Sequence, residues 1–185
     1  MQFKATESYA VDRPSYVWDA RVGYGGFPFL WLRDSYVEGK GAVRVKLANL
    51  FSVVNASDPQ VDHSSAVRFL SEAVWFPSAF LRPNFTWTAV DDTSAEVSFT
   101  PYGRSVSGKL HVAPDGRPTN FVSTRYKDVR ADSEPERWST PATAYGRFCG
   151  LNLPVGGQEV WHLDSGDSTY IDVRLDGITY DSDES

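Results

Sequence analysis

Alternation of apolar and polar residues runs through most of this chain and gives way to a different period in one long segment. That contrast limits the fold more than any other feature. Tyr16, Trp18, Ala20 and Val22 fall on one side of an extended run, with Val17, Asp19 and Arg21 on the other. Val43, Val45 and Leu47 alternate in the same way with Arg44 and Lys46. Successive side chains of a strand point to opposite faces, so a period of two reads as half-buried β-strand. Further strands are expected at 29–38, 51–55, 85–90, 95–100, 105–112, 120–128, 159–163 and 169–179. Turn chemistry separates them, as in Asp91-Asp92, Pro114-Asp115-Gly116, Gly156-Gly157 and Ser165-Gly166-Asp167.

The exception spans about residues 62–81, where Ala66, Val67, Phe69, Leu70, Ala73, Val74 and Phe76 recur at three- and four-residue spacing. Asp62 or Ser64 is positioned to cap its start, and Pro77 predicts a kink or a restarted turn. Its polar stripe is narrow (Ser64, Arg68, Ser71, Glu72), so the helix is expected to be largely buried against a sheet. The expected fold is therefore mainly β (α+β): a curved antiparallel sheet or half-open barrel of about eight to ten strands wrapped around one main helix. Residues 1–180 read as a single β-rich domain, 130–143 as a polar loop leading to Trp138, and the acidic tail 181–185 as disordered.

Charge and cysteine usage narrow the function classes. The net charge is −6, from 24 acidic and 18 basic residues, and Arg13, Arg21, Arg33, Arg44 and Arg68 are scattered. A nucleic-acid module needs a basic field, so that class is not expected. Cys149 is the single cysteine, so no intrachain disulfide forms. No stretch reaches the ~20 apolar residues of a membrane span, and Met1-Gln2-Phe3-Lys4-Ala5 lacks an apolar signal core. The expectation is a soluble chain, either cytoplasmic or the soluble portion of a tethered or exported protein.

Catalytic and metal motifs are sparse. Gly103-Arg-Ser-Val-Ser-Gly108 lacks the spacing and the strand-to-helix setting of a nucleophile elbow and reads as a hairpin segment. His63, His111 and His162 form no metal clip; His63 is expected to be solvated, and His162, beside Trp161 on a strand, reads as a surface residue or as one facing a site. Asp164-Ser-Gly-Asp167 falls short of a calcium loop, and Gly23-Tyr-Gly-Gly26 leads into Phe27-Pro28 as a turn. No cofactor is expected.

Two constellations remain. Arg68 and Glu72 are four apart on the helix with Trp75 beyond them. On a solvated surface this is an ion pair contributing ~0.3–0.5 kcal/mol. Facing a cavity, it is a buried anchor that needs further partners such as Arg125. Arg125, Tyr126, Trp138, Tyr145, Trp161 and Tyr170 read either as core aromatics or as a cage around one cation.

The run Phe69-Leu-Ser-Glu-Ala-Val-Trp-Phe-Pro77-Ser-Ala-Phe-Leu81, followed by Phe85-Thr86-Trp87, resembles an uncharacterised prokaryotic family of unknown function. Asp34 with Tyr36-Val-Glu-Gly-Lys-Gly41, then Asp115-Gly116, Arg125, Trp138, Tyr145, Gly150-Leu-Asn-Leu-Pro154, Trp161 and Ile178-Thr-Tyr180 follow in that family's order. The resemblance implies a strand–helix order similar to periplasmic lipoprotein carriers, whose half-open barrel holds an acyl chain over a helix.

Together these readings point to a binding module for a lipid or other hydrophobic small molecule, held in an apolar pocket between sheet and helix. Trp31, Trp75, Trp87, Trp138 and Trp161 would supply its walls, with Tyr126 and Tyr145 beside them. Arg125 would meet an anionic head group, and Glu72 would hold Arg125 or the polar end. The alternatives are an enzyme using Glu72 and Arg125 for acid–base chemistry, or a protein-interaction domain with an exposed aromatic patch.

Overall fold

The computed structural model describes residues 1–128 and 132–181. Five strands come first: β1 (Gln2–Ala10), β2 (Ser15–Tyr24), β3 (Phe27–Val37), β4 (Lys40–Leu47) and β5 (Phe51–Ala56). They pair in sequence order as an antiparallel meander, the arrangement expected when hairpin turns follow one another. The helix α1 (Pro59–Glu72) follows, continued by two 3₁₀ turns at Ala73–Trp75 and Pro77–Leu81. The chain then builds a second antiparallel sheet from β6 (Phe85–Asp91), β7 (Ser94–Phe99), β8 (Val106–Val112), β9 (Pro118–Tyr126), β10 (Pro135–Ser139), β11 (Ala142–Phe148), β12 (Leu151–Leu163) and β13 (Gly166–Arg174). Its order is β11-β12-β10-β9-β8-β7-β6, with β13 also on β12.

Antiparallel sheet plus one main helix is the expected class, and neither sheet closes into a barrel. The described residues hold thirteen strands in two sheets. The additional strands have clear causes. β1 alternates Phe3, Ala5, Glu7 and Tyr9, and the acid in that series hides the apolar face. Pro135–Ser139 is strand although 130–143 was expected as loop: Pro135 can head it because proline is tolerated at a strand's first residue. Residues 130–131 of that span, and 182–185 of the expected tail, lie outside the described residues.

Helix α1 starts earlier than its periodicity suggests. Asp58 is the cap, its Oδ1 accepting from Gln60 N at 3.0 Å and Val61 N at 2.9 Å, with Pro59 at the first helical position. That corrects the expectation of Asp62 or Ser64 as cap. Asp62 instead accepts Gly41 N (2.8 Å) and Lys40 Nζ (2.9 Å) from β4, and Arg104 Nη1 (3.0 Å) from the β7–β8 turn. Ser64 exchanges hydrogen bonds with the Tyr126 backbone. Helix and β4 approach so closely at Gly41 that a Cβ there would lie 2.6 Å from Val61 O. At the far end, Pro77 restarts the chain as a second 3₁₀ turn.

The core surrounds this helix. Val67, Phe69, Leu70 and Ala73 are fully buried, with Tyr16 and Tyr36 from the five-stranded sheet and Val97, Phe99, Phe121 and Trp138 from the other. Tyr9 stacks on Phe69 at 4.3 Å and Phe69 on Phe99 at 4.8 Å, so one aromatic column runs from sheet to sheet through α1.

Candidate functional site

Arg68 and Glu72, from the polar stripe of α1, meet the five-stranded sheet and are buried there, while Ser64 turns to β9 of the other sheet. Arg68 Nε donates to Glu72 Oε1 at 2.8 Å, Nη1 to Asp34 Oδ2 at 2.8 Å, and Nη2 to Glu7 Oε2 at 3.3 Å. Tyr16 donates its hydroxyl to Asp34 Oδ1 at 3.0 Å. The guanidinium also lies over the rings of Tyr16 and Trp18, at 4.8 and 5.1 Å from their centroids. The expected i,i+4 pair therefore exists as a buried anchor, and its partners are Glu7 and Asp34. Arg125 belongs to the other sheet.

Three carboxylates around one guanidinium leave excess negative charge where the dielectric is low. Burial pushes the Glu72 carboxyl well up; Arg68 opposes this and Glu7 reinforces it. Glu7 Oε1 and Glu72 Oε2 are buried with no hydrogen-bond partner among the described residues. A proton on Glu72 removes one of these buried charges, the direction in which its pKa is pushed.

Beside this cluster the sheet continues beyond the helix. Strand register places Ala5, Ala20, Leu32, Val45 and Val54 in one row. Phe3, Val22, Leu30, Leu47 and Phe51 form the next. Every member is apolar. None belongs to the cluster packed around α1; Ala20 is buried, and Leu47, Phe51 and Val54 are exposed. The result is an apolar face spanning five strands, ~19 Å at ordinary strand spacing, with Glu7, Trp18 and Asp34 along its border.

A small cavity lies under the end of α1. Glu72, Trp75, Asn120, Phe121, Pro141 and Glu159 line its ≈ 60 Å³, room for about two waters. Trp75 Nε1 donates to Pro154 O at 2.8 Å and so fixes the turn that closes it.

The expected aromatic cage forms in part. Arg125 lies 4.4 Å over Trp138 and 3.5 Å from Glu159. Trp138 Nε1 donates to Tyr170 Oη at 3.2 Å, Tyr170 in turn donates to Glu159, and its ring stacks on Trp161 at 5.7 Å. Tyr145 lies apart, its hydroxyl on Pro118 O and its ring under Arg117 at 4.6 Å. Tyr126 ends β9 against His63, which is half-buried, its pKa lowered by burial, where solvation was expected. Trp87 is 43% exposed and meets Phe80 at 5.0 Å. Trp31 is half-buried on the outer face of the five-stranded sheet, between Arg21 and Lys46.

A third constellation had no sequence signal, because its members lie on three strands. Ser139 Oγ is 2.8 Å from His162 Nε2, and His162 Nδ1 is 2.7 Å from Asp167 Oδ1. This is the connectivity of a serine-hydrolase triad. Ser139 is only 3% exposed, its strand pairs on both sides, and the following amide, Thr140 N, already donates to Phe121 O. The neighbouring backbone therefore offers no free donors for an oxyanion, so the chain of bonds reads as structural.

Residues 1–173 match the model of a family described as "Family of unknown function (DUF6544)". The chain belongs to this family. No curated protein and no solved structure matches it, so the expected similarity to lipoprotein carriers finds no support there. Within the matched span lie every residue of the Arg68 cluster, both apolar rows and the Ser139–His162–Asp167 chain. No helix is long and apolar enough to cross a membrane among the described residues.

Sequence reading missed Glu7 and Asp34. The signal was available: each is an acid on an otherwise apolar strand face, between Ala5 and Tyr9 in β1 and between Leu32 and Tyr36 in β3. Buried carboxylates need partners, and the helix supplies one in Arg68.

Proposed function

We propose that this chain binds a lipid or similar hydrophobic molecule along the two apolar rows of the five-stranded sheet. The observation that carries the reading is the uninterrupted apolar face outside the core, ending at a buried polar cluster. Ten apolar residues on one sheet face ordinarily meet a covering layer, and a slender apolar ligand would gain ~25 cal/mol per Å² buried there. The ≈ 60 Å³ cavity under the end of α1 is too small for such a ligand. The bound molecule would therefore lie beside the helix.

The cluster sets the polar end. All three donor nitrogens of Arg68 are engaged, so it does not take an anionic head. With three carboxylates around it, the border accepts hydrogen bonds and favours a neutral or cationic end group, a hydroxyl or an amine. Arg125, first considered for an anionic head, lies over Trp138 and 3.5 Å from Glu159 on the other sheet, while its buried Nε and Nη1 have no hydrogen-bond partner among the described residues. The same placement weighs against an enzyme built on Glu72 and Arg125 together.

Native mass spectrometry of purified protein, followed by solvent extraction, tests the reading. A stoichiometric hydrophobic molecule, lost from Val45→Glu, is expected. If the chain mass accounts for every preparation and neither a fatty alcohol nor a fatty amine is taken up, the reading fails.

A further inference from the structure

The pleat of the five-stranded sheet gathers charges that the sequence scatters. On the face away from α1, Lys4, Arg21, Trp31 and Lys46 share one row. Asp19, Arg33 and Arg44 lie in the adjacent row. Five cations thus share that face with Asp19, in a chain whose net charge is −6. Asp19 itself lies 3.7 Å from Arg33, with both side chains half exposed.

At one end of this face two tips carry large apolar residues into solvent. The β2–β3 turn, Tyr24-Gly25-Gly26-Phe27, holds its glycines at φ +59° and +86°, and leaves Tyr24 and Phe27 each 81% exposed. The β4–β5 turn leaves Leu50 79% and Phe51 68% exposed. Hydrogen bonding from Ala48 N to Phe29 O (2.9 Å) ties the second turn to the strand that follows the first. Apolar and aromatic tips beside a basic row are complementary to an anionic bilayer, where apolar groups enter the acyl boundary and cations meet head groups. A protein partner could cover the apolar tips; the concentrated positive charge on an otherwise acidic chain favours the membrane.

We propose that the β2–β3 and β4–β5 tips, with the basic outer face of the five-stranded sheet, dock this protein on an anionic lipid bilayer surface. Docking this way also places the open end of the apolar rows, at Phe3, Leu30, Leu47 and Phe51, against the membrane. The inference stands without the proposed ligand, since an empty protein would dock equally.

Co-sedimentation with vesicles of phosphatidylcholine alone, or mixed with phosphatidylglycerol, tests it with the intact chain. Binding to the mixed vesicles is expected, falling steeply with salt. Arg21→Glu/Lys46→Glu and a Tyr24→Ser/Phe27→Ser/Leu50→Ser/Phe51→Ser variant should each lose at least about tenfold in partitioning. Their far-UV circular dichroism should be unchanged, because these positions lie outside the core. Absence of binding to anionic vesicles at low salt would overturn the proposal, as would binding that both variants retain. A tip variant that alters oligomeric state while vesicle binding persists would reassign the patch to contact between copies of the chain.

Discussion

Glu7 and Glu72 each give one carboxylate oxygen to the Arg68 guanidinium, at 3.3 and 2.8 Å, and the remaining oxygen of each is buried without another donor. The strand residue and the helix residue are 65 positions apart in sequence (72 − 7), yet they share one cation.

The raised pKa of Glu72 gives a pH dependence of known sign. Burial raises the folded-state pKa of Glu72, so its contribution to stability is complete below the ordinary glutamate range of about 4.3 and is lost as pH rises through the raised value. His63 works in the opposite sense, being buried with a lowered pKa. Urea denaturation of wild type and Glu72→Gln at several pH values separates them: the difference between the two proteins should change steadily with pH, with wild type losing more as pH rises.

Arg68→Leu leaves three carboxylates facing one another without a cation. Loss of about 3–5 kcal/mol is expected, read from the urea midpoint. Arg68→Lys should recover little, because one ammonium does not reproduce a fork that reaches Glu7, Asp34 and Glu72 in three directions.

Val45→Glu and Leu32→Glu place a charge on the apolar face outside the core cluster. Each should abolish retention of the hydrophobic ligand and shift the melting temperature by only a few degrees, roughly the effect of 1 kcal/mol. A collapse in melting temperature would instead show these rows to be structural.

Gly108→Ala probes the eight-stranded sheet. The new Cβ would lie 2.2 Å from the Phe121 ring, which faces Gly108 across the β8–β9 pair. Overpacking here is expected to cost about 1–3 kcal/mol, measured by thermal melting.

Ser139 should remain unlabelled by a fluorophosphonate probe, because its hydroxyl is buried and the following amide already donates to Phe121 O. Stoichiometric labelling abolished by His162→Ala would turn that hydrogen-bonded chain into an active site.

Much of the fold was legible because the two periodicities are local. Tyr16 to Val22 alternate and become β2; Ala66 to Ala73 recur helically and become the centre of the core. Asp58 was missed as cap because Pro59 follows it directly, ahead of the apolar periodicity. The site was less legible because its partners are non-local. Arg68 and Glu72 announce a pair from spacing alone, whereas Glu7 and Asp34 join them only once β1 and β3 are paired through β2. The basic face was hidden for the same reason: Arg21, Lys46 and Lys4 are distant in sequence and adjacent only across the register.

Asp62 receives hydrogen bonds from β4 and from Arg104 of the opposite sheet, and among the described residues no strand of one sheet pairs with a strand of the other. The five-stranded sheet is thus fastened to the rest of the fold through α1, by the groups that meet Asp62, Arg68 and Phe69, and the helix serves as the mortise into which both sheets are seated.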